Sequence, residues 1–137
     1  SWGGTKNGFL FGEAIVFCRP DLARDFRFVR KQLCQLPSKT RFISAQFAAY
    51  LGNKLWLRIA EHSCKMAQRL ARDLRQIPQI KIPYPTQSNA VFAIIPKQWT
   101  SALREVSFFY VFDERTWLCR LMMSWDTQDS DIDNFME

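Results

Sequence analysis

The chain has 137 residues, 47% of them hydrophobic and 15% aromatic, with 12 Phe and five Trp, which excludes a disordered tail and suits one domain or a piece of a larger one. Its formal net charge of +6 comes from 19 basic and 13 acidic residues, spread without a dense cluster, which argues against nucleic acid as a partner. No apolar run is long enough to span a bilayer, and the cysteines at 18, 34, 64 and 119 form no C-x-x-C pair of the kind found in zinc ribbons and redox motifs.

Residues 1–8 read as a Gly-rich loop. The run Phe9 to Cys18 is rich in Phe, Ile and Val and predicts a buried strand. Arg19-Pro20-Asp21 opens a helix, and Leu22, Phe26, Val29, Leu33 and Leu36 recur along one face of it, from about 20 to 36. Pro37 breaks this helix, and Ser38 is placed to cap the next segment. A long helical stretch follows from about 39 to 77, in two pieces with a bend at Gly52. Leu55, Ile59, Met66, Leu70, Leu74 and Ile77 form its inner stripe, and Glu61 with Lys65 make a favourable i, i+4 pair on the wet face.

Pro78, Pro83 and Pro85 mark a shift in composition. Beyond them the pattern predicts a strand at Asn89–Ile95, a helix at Pro96–Glu105 and a strand at Ser107–Phe112. A turn at Asp113-Glu114-Arg115, a strand at Trp117–Ser124 and a helix from Asp129 to Met136 complete it. This is an α+β layer: long helices plus a small antiparallel sheet covered on one side by helices.

The segment Ser1-Trp2-Gly3-Gly4-Thr5-Lys6-Asn7-Gly8, followed by Phe11-Gly12-Glu13-Ala14, carries the most chemistry. Glycines flanking a lysine let the backbone approach a flat molecule, and a lysine that attacks an aldehyde must be reachable and at least partly deprotonated. Taken alone, the hexapeptide Gly3 to Gly8 reads equally well as a surface turn, because Asn-Gly is a common turn pair. The segment resembles the cofactor-lysine loop of the threonine aldolases, in the β-eliminating lyase family of pyridoxal-phosphate enzymes. The resemblance continues through Arg30-Lys31-Gln32, Ser38-Lys39-Thr40-Arg41-Phe42 and Ala45-Gln46-Phe47, and returns at Arg120-Leu121 and Ser124-Trp125-Asp126-Thr127.

The resemblance implies an α/β parent of the aspartate-aminotransferase-like fold type I. Residues 1–45 would be a remnant of its large cofactor-binding domain, and 46–137 the linking helix and small C-terminal domain. It implies Lys6 as the catalytic lysine that takes pyridoxal 5'-phosphate covalently, with Gly4 and Thr5 as further cofactor contacts, and Lys39 and Arg41 meeting the cofactor phosphate or the substrate across a dimer interface; read alone, that pair suits a solvated helix start equally well. Arg120, in the apolar run Trp117 to Met122, would bind the substrate carboxylate. A charge in such a run needs an anionic partner, although strand alternation also permits it to face outward. The implied reaction is cleavage of a β-hydroxy-α-amino acid, threonine to glycine and acetaldehyde, in a cytoplasmic homodimer or homotetramer. No membrane, nucleic-acid or metal partner is implied. A start inside a loop points to a fragment, inactive without the missing N-terminal portion of the same enzyme. Another β-eliminating lyase, a transaminase-type enzyme and a non-catalytic basic interaction module are the alternatives.

Other residues read as structural. His62 fits a partly buried helix position. Asp126, Asp129, Asp131 and Asp133 lack the Gly and Glu spacing of a calcium loop and suit the start of the last helix. Trp2, Phe9 and Phe11 suit core packing. No residue stands out as the base for the β-hydroxyl proton.

Overall fold

The structure is a computed structural model that describes all 137 residues, Ser1 to Glu137. It divides into two compact units, Ser1–Trp56 and Leu57–Glu137. No helix is long and apolar enough to cross a membrane.

In the first unit, β1 (Trp2–Gly3) pairs antiparallel with β2 (Glu13–Ala14). Between them lies a 3-10 turn over Thr5–Asn7 that ends at Gly8 with φ 94°, a left-handed conformation that glycine adopts without steric cost. The strand expected over Phe9–Cys18 forms only at Glu13–Ala14. A strand needs a hydrogen-bonding neighbour along its length, and β1 supplies one for two residues only. Around it Leu10 is 86% and Val16 73% exposed.

The helix expected over 20–36 is also shorter. It consists of a 3-10 turn at Pro20–Ala23 and α1 (Phe26–Gln32). Its end is a Schellman motif: the Cys34 N–H donates to the Lys31 carbonyl, the Gln35 N–H donates to the Arg30 carbonyl at 2.9 Å, and Cys34 takes a φ of 55°. The expected inner face is open, with Leu22, Val29, Leu33 and Leu36 all exposed.

Helix α2 (Thr40–Leu51) starts without the predicted Ser38 cap. Lys39 occupies the cap position, and the Thr40 hydroxyl donates instead to the Pro37 carbonyl at 2.6 Å. The bend falls where Gly52 predicted it: α2 gives way to a 3-10 turn at Gly52–Lys54, in which Asn53 and Lys54 take φ of 51° and 55°. The core of this unit is aromatic. Phe9 and Tyr50 are buried, and Trp2, Phe9, Phe47 and Tyr50 stack edge-on or tilted at 4.9–5.5 Å, a geometry that aligns ring edges with ring faces.

The second unit follows the predicted pattern closely. Helix α3 (Leu55–Leu74) buries Ala67, Leu70, Ala71 and Leu74, and Lys65 pairs with Glu61 at 2.8 Å on its wet side. Then come β3 (Ala90–Ile94), α4 (Lys97–Val106), β4 (Tyr110–Asp113), β5 (Leu118–Met122) and α5 (Asp129–Met136). The sheet is antiparallel with order β3-β5-β4. Val91 pairs with Leu121, Ala93 with Cys119, and Cys119 with Val111. These residues point to one face and pack with Leu70, Leu74, Ile132 and Phe135 of the helices. The opposite face carries Phe92, Arg120, Tyr110, Phe112 and Met122; Tyr110, Phe112 and Met122 are exposed.

The last helix is held at its start and along its first turns. The Gln128 N–H donates to the Asp131 carboxylate at 2.7 Å in a capping box. Arg69 of α3 pairs with Asp129 at 2.5 Å and with Asp133. These partners raise the Arg69 pKa further, the hydrogen bond to Asp129 contributing most. The aspartates of this region therefore start and anchor the helix, as the sequence suggested. His62 is half-buried on α3, and its Nε2 lies 2.8 Å from the Thr127 carbonyl.

Candidate active site

The turn that carries Lys6 is fixed by glycines and by helix α2. The Gly4 N–H donates to the Gly12 carbonyl at 2.8 Å, and the Gly4 carbonyl accepts from Asn7 and Phe9. Gly4 is buried, and a Cβ there would lie 2.5 Å from the Phe9 ring and 2.7 Å from the Gly12 carbonyl oxygen. Any side chain at this position would push the turn off the aromatic core. At Gly12, with φ 155°, a Cβ would lie 3.1–3.3 Å from the Phe9, Ile43 and Phe47 side chains.

The contribution of Gln46 was not apparent from sequence. Its carboxamide oxygen accepts from the Leu10 N–H at 2.8 Å, and its nitrogen donates to the Phe11 carbonyl at 3.1 Å. One side chain of α2 thus reads both backbone polarities of the segment that follows Lys6. The only signal in the sequence was the position of Gln46 within the matched run Ala45-Gln46-Phe47.

Lys6 itself is exposed in the last turn of the short helix and has no acidic partner. The neighbouring Thr5 hydroxyl donates to Glu13 at 3.3 Å, across the β1–β2 pair. Lys39 and Arg41 stand at the start of α2, both exposed, with the Arg41 guanidinium 5.0 Å from the Phe42 ring centre. Gly4, Thr5 and Lys6 therefore share one turn, and Lys39 and Arg41 share one helix end, all within the first unit. Phe11, read as a core residue, is 49% exposed, whereas Phe9 and Trp2 do pack in the aromatic cluster.

Arg120 belongs to the second unit, at the centre of its sheet. Its direct cross-strand neighbours are Phe92 in β3 and Tyr110 in β4. The guanidinium carbon lies 5.7 Å from the Tyr110 ring centre. The Arg120 Nε is shut off from solvent and has no hydrogen-bond partner, an arrangement that leaves a donor waiting for an acceptor. A guanidinium so placed can take a carboxylate through two parallel N–H bonds.

No family model matches the chain. Curated relatives do. It is 40% identical over 127 residues to the low specificity L-threonine aldolase of Pseudomonas aeruginosa, covering 92% of this chain and 36% of that protein. It is 39% identical over 132 residues to the low specificity L-threonine aldolase of a Pseudomonas species, covering 96% of this chain and 38% of that one. Among solved structures, the threonine aldolase of Leishmania major matches with a TM-score of 0.86 and 28% identity, over 98% of this chain and 40% of its own. The chain thus spans a little over a third of the length of its curated relatives. In sequence and in fold, nearly the whole length of this chain is similar to one stretch of the threonine aldolases.

Proposed function

We propose that the complete protein is a pyridoxal-phosphate-dependent lyase that splits β-hydroxy-α-amino acids, threonine giving glycine and acetaldehyde. In this reading Lys6 is its cofactor-binding lysine and Arg120 its carboxylate anchor. The observation that carries it is the match in sequence and fold to threonine aldolases, 40% identical over 92% of this chain in one of them.

The residues present fit the cofactor. Lys6 is reachable and free of ion pairs, on a turn whose buried Gly4 admits no side chain. It would hold the cofactor through its ε-amine, with Gly4 and Thr5 beside it and Lys39 and Arg41 as cations for the phosphate. When bound, pyridoxal phosphate supplies an electron sink for the pair left as Cα–Cβ breaks. Arg120 grips the substrate carboxylate and so fixes which bond at Cα stands ready to break.

Residues 1–45 then form part of the large cofactor-binding domain, and 46–137 the linking helix and small domain. The exposed Leu10, Val16, Leu22 and Leu33 support this, because apolar surface of that extent is normally covered by other parts of an enzyme. The enzyme works in the cytoplasm as a homodimer or homotetramer, with Lys39 and Arg41 at a subunit boundary.

Aldehyde release from L-threonine by the complete enzyme tests the reading. The expected result is turnover that requires added pyridoxal phosphate and is abolished by Lys6→Ala. Turnover that survives Lys6→Ala unchanged, or none with any β-hydroxy amino acid, would overturn it.

A further inference from the structure

The open face of the second unit's sheet is built around one cation. Strands β3 and β4 flank β5, so their side chains stand about 10 Å apart across two strand spacings. The Phe92 and Phe112 rings nevertheless meet at 5.5 Å, edge to face, and must therefore reach over β5 to do so. Tyr84 extends this row on the far side of Phe92, at 6.0 Å. The closure accounts for two facts of the central strand. Leu118 is buried although it lies on the open face, and the Arg120 Nε is buried without a partner.

Tyr110 completes the enclosure. It is the direct cross-strand neighbour of Arg120 and lies under its guanidinium. Phe108 buttresses the Tyr110 ring edge-on at 5.0 Å. No carboxylate of the unit pairs with Arg120: Asp113, on the same strand as Tyr110, is engaged by Arg115 and Thr116. What holds this arginine is thus an aromatic face rather than an anion, which leaves its donor fork available.

We propose that Tyr110 is a positioning residue for Arg120. Its ring seats the guanidinium in one plane, so that an incoming substrate carboxylate meets a donor fork already oriented. This inference rests on Arg120 being the carboxylate anchor. An arginine side chain is flexible, and stacking its planar head on a ring removes that freedom before the ligand arrives. The hydroxyl of Tyr110 has no part in this, so phenylalanine should serve equally well.

The test uses the complete enzyme. Tyr110→Val and Tyr110→Thr both suit a strand and both lack a ring. They should raise KM for threonine about tenfold, the scale of a partly desolvated cation–π contact. The effect on kcat should be small, because the carboxylate contact is made equally in ground and transition states. Tyr110→Phe should retain the parent KM. With labelled arginine, the Arg120 Nε–H proton resonance should move on loss of the ring in the Val and Thr variants and stay in place in Tyr110→Phe.

Arg120→Lys separates the two possible failures. If it leaves KM unchanged, the carboxylate assignment falls and the proposal with it. If it raises KM while folded Tyr110→Val and Tyr110→Thr enzymes keep the parent KM and resonance, the positioning role alone is overturned. A Tyr110→Phe variant as impaired as the Val variant would also overturn it, because the hydroxyl would then be the working group.

Discussion

Gly4 and Gln46 do for Lys6 what the lysine cannot do for itself. Gly4 lets the turn lie against the Phe9 ring, and Gln46 pins the segment that leaves it. Gly4→Ala should therefore lower the stability of the first unit by about 1–3 kcal/mol, the usual cost of forcing a methyl group into packed surroundings; amide exchange at Phe9 and Tyr50 would register it. Asp113 gives a pH-dependent counterpart in the second unit. The Arg115 backbone N–H, then the Thr116 and Arg115 side chains, hold its carboxyl below the ordinary 3.8. A carboxyl depressed on folding adds stability above its unfolded pKa and loses it as pH falls through the folded value. Asp113→Asn should thus melt below the parent at pH 7, and the gap should close in acid below the folded pKa. A gap that is constant with pH would show that the charge has no part in the turn.

The predicted elements held where the chain supplies its own neighbours and failed where it does not. In the second unit every strand and helix appears near its expected bounds. Period-two alternation in β3 and β5 meets the stripe of α3 within the same unit, so local pattern and packing agree. In the first unit the apolar run Phe9–Cys18 reads as a strand, yet only Glu13–Ala14 finds a partner. The α1 stripe reads as a buried face and is instead open. Hydrophobic periodicity reports what a segment is suited to bury, not whether the partner surface lies in the same stretch of chain. Lys6, Thr5 and Gly4 were legible as one motif because they are contiguous. The grip of Gln46 was not, because it acts on residues 35 or more positions away, and neither was the aromatic setting of Arg120, which depends on cross-strand register. Helix α5 separates packing from charge in the same way. Ile132 is 2% exposed in the core, so Ile132→Ala should cost about 2–5 kcal/mol in any salt. Arg69→Met should lower the urea midpoint at low salt and approach the parent in 1 M NaCl, because the carboxylates it meets are solvent-exposed and screened. A salt-independent loss would assign the role of Arg69 to packing.

At the scale of the molecule, charge and apolar exposure are both unevenly shared. The excess of positive charge lies in the first unit, where Lys6, Lys39 and Arg41 stand, while basic and acidic residues balance in the second. The first unit also carries most of the exposed large aliphatic side chains. In the proposed reading, the basic, partly uncovered unit that bears the lysine turn would serve an anionic cofactor and a surrounding domain, and the balanced unit with its own core would be the small domain that brings Arg120 to the substrate. The division of labour rests on the lysine, so its chemistry is the most direct test. The complete enzyme, incubated with pyridoxal phosphate, reduced with borohydride and digested, should carry the reduced cofactor on the peptide that contains Lys6. Label on a different lysine, or on none, would contradict the account.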